Sequence, residues 1–403
     1  MTESSPSSQD AAVPAEAPPL VRLLPMVAIV FFGFLTIGMP LPTLPRHVHD
    51  VLGFGPVVVG WVVGLQSLVT VLTRGPGGAV ADARGPKAAV YLGLPCATAA
   101  GATYVVSALL AANPAASLAV LMAGRVLLGF AESLFLVGTM TWGIARIGPQ
   151  NTGRVMAWQG IAMYAALGLG APVGLALQER FGFIAVGAAV VGLPLVAMLV
   201  AWRTPAAPAS HARRAKGGFF KVLGLIWPQG LALALGTAPF AVMAAFIALH
   251  FADRGWNGAG LALLGFACGY IGVRLFLAHL PDRMGGSQVA LVSLAVEVVG
   301  QVVLWTAGSE FAAILGAVIT GLGFSLVFPS FGVQAMRKAP PEMRGLAVGG
   351  FLAFFDVALG VTGPIAGVVA GRFGFASVFL VGAIASAVAV VVAIVAQPKA
   401  RPA

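Results

Sequence analysis

Arg74-Gly-Pro-Gly-Gly78-Ala-Val-Ala-Asp82-Ala-Arg84-Gly85-Pro-Lys87 returns two hundred residues later as Arg274-Leu-Phe-Leu-Ala278-His-Leu-Pro-Asp282-Arg283-Met-Gly285-Gly-Ser287, with the Arg, Asp and Gly in unchanged register. Each copy sits where a long apolar run breaks into a short charged segment. A second block repeats at a slightly smaller offset: Arg146, Pro149, Gly153, Gly168, Pro172 and Arg180-Phe181-Gly182-Phe183 match Lys338, Pro341, Gly345, Gly360, Pro364 and Arg372-Phe373-Gly374-Phe375. The chain contains itself twice, and the repeated unit is an array of apolar segments.

Composition says what surrounds those segments. Apolar residues make up 59% of the chain and charged residues 9%, far below the charged share of a soluble domain. Water is therefore not the main solvent. The formal charge of +10 does not point to nucleic acid, because the basic residues stand singly at the ends of apolar runs and form no basic face. Cys96 and Cys268 both lie inside apolar runs and imply no disulfide framework. No zinc-hydrolase helix, P-loop or nucleophile elbow occurs, so the sequence points away from an enzyme and implies no cofactor.

With about 20 apolar residues as the template for one crossing, twelve spans are expected. The first half gives about 23–45, 56–76, 87–110, 117–141, 153–177 and 183–202. The second gives about 222–250, 259–279, 288–307, 311–334, 345–369 and 375–396. The expected organisation is a disordered cytoplasmic tail (1–21), a six-helix bundle (22–202), a basic, Pro/Ala-rich cytoplasmic linker (203–221), a second six-helix bundle (222–396) and a short tail (397–403). Lys and Arg concentrate on the side of the even-numbered loops and tails, whereas Arg46, Arg180, Arg254 and Arg372 are the basic residues of the other side. Both termini should then be cytoplasmic, in a multi-pass protein of the bacterial inner (cell) membrane.

The stretch from Gly78 to Lys87 resembles the cytoplasmic helix 2–3 signature of the major facilitator superfamily. Arg125 four residues before Gly129 is similar to the Arg motif of that family's fourth helix, and Gly168-Leu-Gly170-Ala-Pro172-Val-Gly174 resembles the Gly-Pro motif of its proton-coupled exporters. Residues Arg125 to Leu134, with Gly153 to Trp158, look most like the bacterial permeases labelled arabinose or drug efflux. The resemblance implies an all-α membrane protein of twelve transmembrane helices in two pseudo-symmetric six-helix bundles. It also implies that spans 1, 4, 7 and 10 line a central cavity. Its leading functional expectation is proton-coupled efflux of a small organic molecule by a monomer. Proton-coupled uptake of a sugar or organic acid, and a non-transporting membrane sensor, are the alternatives.

Within that frame the residues have physical roles to fill. Gly78 permits close helix approach, Gly85 a tight turn, and Asp82 can accept charge-assisted bonds. They form a gating latch whose partners are expected to be Arg74 and Arg154; Arg274, Asp282, Gly285 and Arg344 repeat it. Purely topogenic charges are the other reading. Charges inside the bilayer cost about 2.5–3.5 kcal/mol each by insertion scales, which singles out Arg125, Glu132, Glu297 and Asp356. Arg125 and Glu132, seven apart, share a helix face. They are read as a substrate-orienting or gating pair, with a helix-packing ion pair as the alternative. Asp356 has no basic residue near it in the chain and is expected to carry the coupling proton, with Glu132 as second choice. Glu297, in a span expected to be peripheral, is not assigned to the site. Phe34, Trp158, Tyr164, Phe328 and Phe355 are the aromatic candidates for the substrate cavity. His47 and His49, at the outer end of the first span, are not read as a metal site.

Overall fold

A computed structural model describes residues 19–208, 219–340 and 343–395. The first span is built from α1 (Pro19–Gly38), the short α2 (Pro40–Arg46) and a π-helical turn (His47–Val51). The rest of the first half is α3 (Pro56–Arg84), α4 (Pro86–Leu109), α5 (Pro114–Ile147), α6 (Thr152–Phe181) and α7 (Phe183–Arg203). The second half is α8 (Phe219–Asp253), α9 (Ala259–Leu277), the single turn α10 (Leu280–Arg283), α11 (Gly286–Thr306), α12 (Glu310–Lys338), α13 (Arg344–Phe373) and α14 (Ser377–Val395). Among the described residues, twelve spans are long and apolar enough to cross a membrane. Helices prevail because hydrocarbon offers no partner for backbone N–H and C=O groups.

Local signals set the helix ends. Pro56, Pro86 and Pro114 open their helices where the missing N–H costs nothing. Asn113 and Ser309 cap α5 and α12 by accepting from Ala116 N (3.2 Å) and Ala312 N (3.3 Å). Gly85 and Gly285, matching members of the repeat, both have φ +89°, which a side chain would resist.

Several expected boundaries move. The segment from Gly78 to Arg84 is the last two turns of α3 rather than a loop. A helix of 29 residues is about 43 Å long at 1.5 Å per residue and outruns the ~30 Å hydrocarbon layer, so the apolar run stops before the helix does. In the second copy α9 ends at Leu277, and α10 follows as a separate turn. Of the expected tails and linker, residues 1–18, 209–218 and 396–403 lie outside the described residues.

Within the first half α4 packs on α5 and α7, and α3 on α5; within the second, α11 packs on α12 and α14, and α9 on α12. The halves meet along α3 with α13 and along α6 with α9. Both seams are lined by small residues. Gly60 and Gly363 meet backbone to backbone with no room for a Cβ, as does Gly64 against the Gly360 backbone, while Gly360 itself faces the Leu68 side chain. At the second seam Gly168 lies against the Ala267 side chain and Gly260 against Pro172. Lipid tails are as apolar as the helices, so close dispersion packing has to hold them together, and small residues permit it.

Candidate functional site

Between the halves lies a cavity of about 80 Å³, bounded by residues of α1 to α3, α5, α6, α8 and α13. Its walls are largely apolar: Phe34, Ile37, Leu41, Val63, Met163, Leu167, Phe240 and Phe355. Polar groups are few and come mainly from the first half: Gln66, Ser67, Arg125, Glu132 and Tyr164.

Arg125 and Glu132 both reach this cavity, but not as a pair. Arg125 is 2% exposed; its guanidinium donates to the carbonyls of Val62 (2.8 Å) and Val63 (2.9 Å) and to the Tyr104 hydroxyl (3.3 Å). Backbone dipoles of α3 thus hold this charge. Glu132 accepts from Gln66 Nε2 (2.8 Å) and Thr70 Oγ1 (3.1 Å), and both bonds converge on Oε2. That leaves Oε1 for the cavity. Residues seven apart share a face, yet each finds closer partners on α3, because two turns of helix separate their Cα atoms by about 10 Å.

One turn beyond Thr70, Arg74 crosses to the other half. Its Nη2 stands 2.6 Å from Asp356 Oδ2, with side-chain exposures of 16% and 4%. Asp356, read from its neighbours in the chain as remote from any base, has one supplied by α3. Arg74, read as an Asp82 partner, is engaged two turns deeper than that aspartate. Glu132, Thr70, Arg74 and Asp356 thus form a polar column through the first seam.

The second seam carries the same frame with other chemistry. Arg274 donates Nη2 to the Tyr270 hydroxyl (3.1 Å), and its guanidinium carbon lies 5.4 Å from that ring's centroid. The Tyr270 ring in turn packs against that of Tyr164, with centroids 3.9 Å apart and the planes tilted by 33°. Phe240, Phe266 and Phe324 complete the aromatic cluster around Tyr164. By the offset of the second repeat block Tyr164 is the counterpart of Asp356.

Of the aromatic candidates, Phe34, Tyr164 and Phe355 line the cavity. Trp158 instead packs on Leu23, Ile147 and Val155, and Phe328 on Phe351 and Phe355, at 5.3 and 6.0 Å. Phe240 was not singled out from the sequence. It sits in a run, residues 238–249, that is apolar throughout, where no periodicity distinguishes a cavity face. Gly78, Asp82 and Gly85 end α3, while Arg154 is exposed in the first turn of α6. Nearby, Lys87 donates to the carbonyls of Thr204 (2.8 Å) and Trp202 (3.2 Å), tying α4 to the end of α7. The side chains of Asp282 and Arg344 lie outside the described residues. His47 and His49 have separate surroundings: His47 stacks on Phe183 at 4.2 Å, and His49 Nδ1 lies 2.9 Å from the Phe54 carbonyl.

The Gly168–Gly174 segment has a packing role in both directions. Gly170 and Gly174 abut the backbone of Gly38 and Met39 at the bend between α1 and α2, and Gly168 abuts α9. α6 is thereby wedged between the first span and the other half.

The family model of the Major Facilitator Superfamily matches residues 26–266 and 231–403. An uncharacterized MFS-type transporter of Pseudomonas aeruginosa (strain UCBPP-PA14) is 42% identical over 381 residues, 94% of each chain. One of Burkholderia mallei (strain SAVP1) is 41% identical over 382 residues, 94% of this chain and 93% of its own. Among solved structures, a mutant of the nucleoside transporter NupG superposes with a TM-score of 0.76 at 18% identity, covering 93% of this chain and 99% of its own. The human organic anion transporter MFSD10 (TETRAN) gives 0.72 at 15% identity, covering 94% and 100%. At those identities the structures attest the fold alone. The repeat, the twelve spans, the family match and the relatives agree: this chain is a membrane transporter that belongs to the major facilitator superfamily.

Proposed function

We propose that the protein is a proton-coupled exporter of a small organic molecule, acting as a monomer by alternating access in the bacterial inner membrane, with both termini in the cytoplasm. The observation that carries the reading is the Arg74–Asp356 pair, which joins the two halves beside the cavity with a single ionisable acid. An ionised Asp356 holds Arg74 and keeps the first seam drawn together. A proton on Asp356 cancels the attraction and lets α13 part from α3. Export rather than uptake is supported by the resemblance of the Gly168–Gly174 segment to exporter motifs, and of the Arg125–Leu134 stretch to arabinose- or drug-efflux permeases.

The close approaches at Gly60, Gly64, Gly367 and Gly260 lie in the half of the spans that carries Pro56, Ala259 and Phe373. By the distribution of Lys and Arg this is the periplasmic side. The conformation described is then closed to the periplasm, with the cavity destined to open towards the cytoplasm. Glu132, with one oxygen held by α3 and the other turned to the cavity, orients the substrate, and Arg125 braces α5 against α3.

The test uses compounds that stabilise the purified protein in a thermal-shift screen of sugars, organic acids, metallophores and cationic drugs. In proteoliposomes Asp356→Asn should abolish flux driven by a pH gradient while substrate exchange persists, because the amide mimics the protonated acid and cannot release a proton. Gradient-driven flux that survives in Asp356→Asn but disappears in Glu132→Gln would transfer the coupling role to Glu132.

A further inference from the structure

One acid stands apart from the cavity. Glu297, in the middle of α11, is fully buried inside the second half. Ser386 of α14 donates to its Oε2 (3.0 Å), whereas its Oε1 is buried without a hydrogen-bond partner. One turn further along α11, Gln301 is also fully buried. It gives Nε2 to Thr320 Oγ1 of α12 (3.2 Å), and its Oε1 too is buried and unpartnered. Turning the amide around would let Nε2 donate toward Glu297 but would set the amide oxygen against Thr320 and leave the carboxylate charge uncompensated. The Thr320 hydroxyl hydrogen goes to the Gly316 carbonyl (2.8 Å), so Thr320 has only acceptor capacity left for Gln301.

Positions four apart share a helix face. Both side chains are held against α14, Glu297 by Ser386 and Gln301 beside Gly382, one turn earlier on α14. Two acceptor oxygens therefore occupy one dry face, with the neighbouring hydrogens already committed. Among the described residues, an ionised carboxylate there has no countercharge. α14 carries no ionisable residue, and Glu297 is the single one of α11. Lys221, His250 and Asp253 of α8, and Glu310, Arg337 and Lys338 of α12, belong to the ends of their helices, and those of α10 lie beyond the foot of α11. From the first half, the phenol of Tyr164 is within electrostatic range. A metal ion such as calcium takes about six or more oxygen ligands, where two oxygens are unassigned. What is missing is one hydrogen.

We infer that Glu297 binds a proton and donates it from Oε1 to the amide oxygen of Gln301. That single proton satisfies both orphaned oxygens and completes a chain running in one direction: Ser386 to Glu297, Glu297 to Gln301, Gln301 to Thr320, and Thr320 to the Gly316 carbonyl. The chain ties α14, α11 and α12 together. Such a network is stabilising when every member is satisfied and costly when one is not. Because the site is fully buried and away from the cavity, the proton is resident rather than cycled. The inference stands whether or not Asp356 is the coupling acid.

Infrared spectroscopy of the purified protein tests it. In an Asp356→Asn background, the difference between the parent and Glu297→Gln should contain the carbonyl stretch of a protonated carboxylic acid. Gln301→Leu, with Glu297 intact, should move that band to higher frequency by removing its acceptor. Glu297→Gln should melt close to its parent, since an amide can accept from Ser386 and donate to Gln301, whereas Glu297→Ala should melt lower. A carboxylate signature in place of the acid band, or an acid band that Gln301→Leu leaves unmoved, overturns the inference; the second measurement stands even if Glu297→Gln does not fold.

Discussion

The two seams between the halves are counterparts built from one duplicated frame, and they differ in the chemistry at matching positions. In the first, Arg74 of α3 meets the Asp356 carboxylate of α13. In the second, Arg274 of α9 bonds the Tyr270 hydroxyl of its own helix, and the contact across the seam is that of Tyr270 with Tyr164, the residue matching Asp356. An arginine beside a carboxylate forms a link that one proton can cancel. Two phenols and a guanidinium exchange no proton in the ordinary pH range, so on the proposed mechanism a pH change that loosens the first seam should leave the Tyr164–Tyr270 contact of the second in place. The glycines do not share that difference: the matching Gly60 and Gly260 both lie against backbone, and the matching Gly360 and Gly168 both lie against a side chain, of Leu68 and Ala267 respectively.

The largest expected effect comes from breaking the ion pair on one side. Asp356→Ala leaves a largely buried Arg74 without its partner and should destabilise the protein by about 3–5 kcal/mol. The double variant Arg74→Met, Asp356→Leu should recover most of that loss in thermal unfolding while remaining dead in gradient-driven transport. Arg274→Met should cost only about 1 kcal/mol, the net worth of an ordinary hydrogen bond. Equal losses in Asp356→Ala and Arg274→Met would remove the distinction between the seams.

Packing comes next. A methyl added at Gly64 meets backbone that cannot step aside, so Gly64→Ala should lose about 1–3 kcal/mol and should not be rescued by trimming any neighbouring side chain. Gly168→Ala meets the Ala267 methyl, and adding Ala267→Gly should restore both melting temperature and flux. Failure of that rescue would mean that Gly168, too, is fixed by backbone.

The smallest difference should appear at the repeated motif itself. Asp82→Asn, at the end of the continuous α3, should lower the initial transport rate about fivefold, a coupling of ordinary size. Asp282→Asn, in the broken second copy, should have a weaker effect. Uptake or efflux assays at matched expression levels decide this, and equal effects would show that the break between α9 and α10 does not alter what the motif contributes.

Much of this is legible in the sequence. The period-two-hundred repeat, the twelve apolar runs and the near absence of charge within them follow from the cost of exposing polar groups to hydrocarbon, a property of each segment by itself. Positions that must be glycine, such as Gly85 and Gly285, are local for the same reason. Arg125, Glu132, Asp356 and Glu297 also stood out one by one, since a charge in a lipid-length run is anomalous wherever it points.

What tertiary structure decided is which of these residues meet. Arg74 and Asp356 are nearly three hundred positions apart, and nothing in either neighbourhood names the other. Arg125 and Glu132 share a helix face, yet α3 supplied both with partners of its own. Trp158 and Phe328 are as aromatic as Phe34 and Phe355 but pack away from the cavity, because in an all-apolar helix no periodic pattern tells an inner face from a lipid face. The chain alone determined the frame, through interactions between each segment and its solvent. The pairing of charges across the frame, and the chemical difference between its two seams, arise only when twelve helices choose their neighbours, which is a property of shape rather than of any single segment.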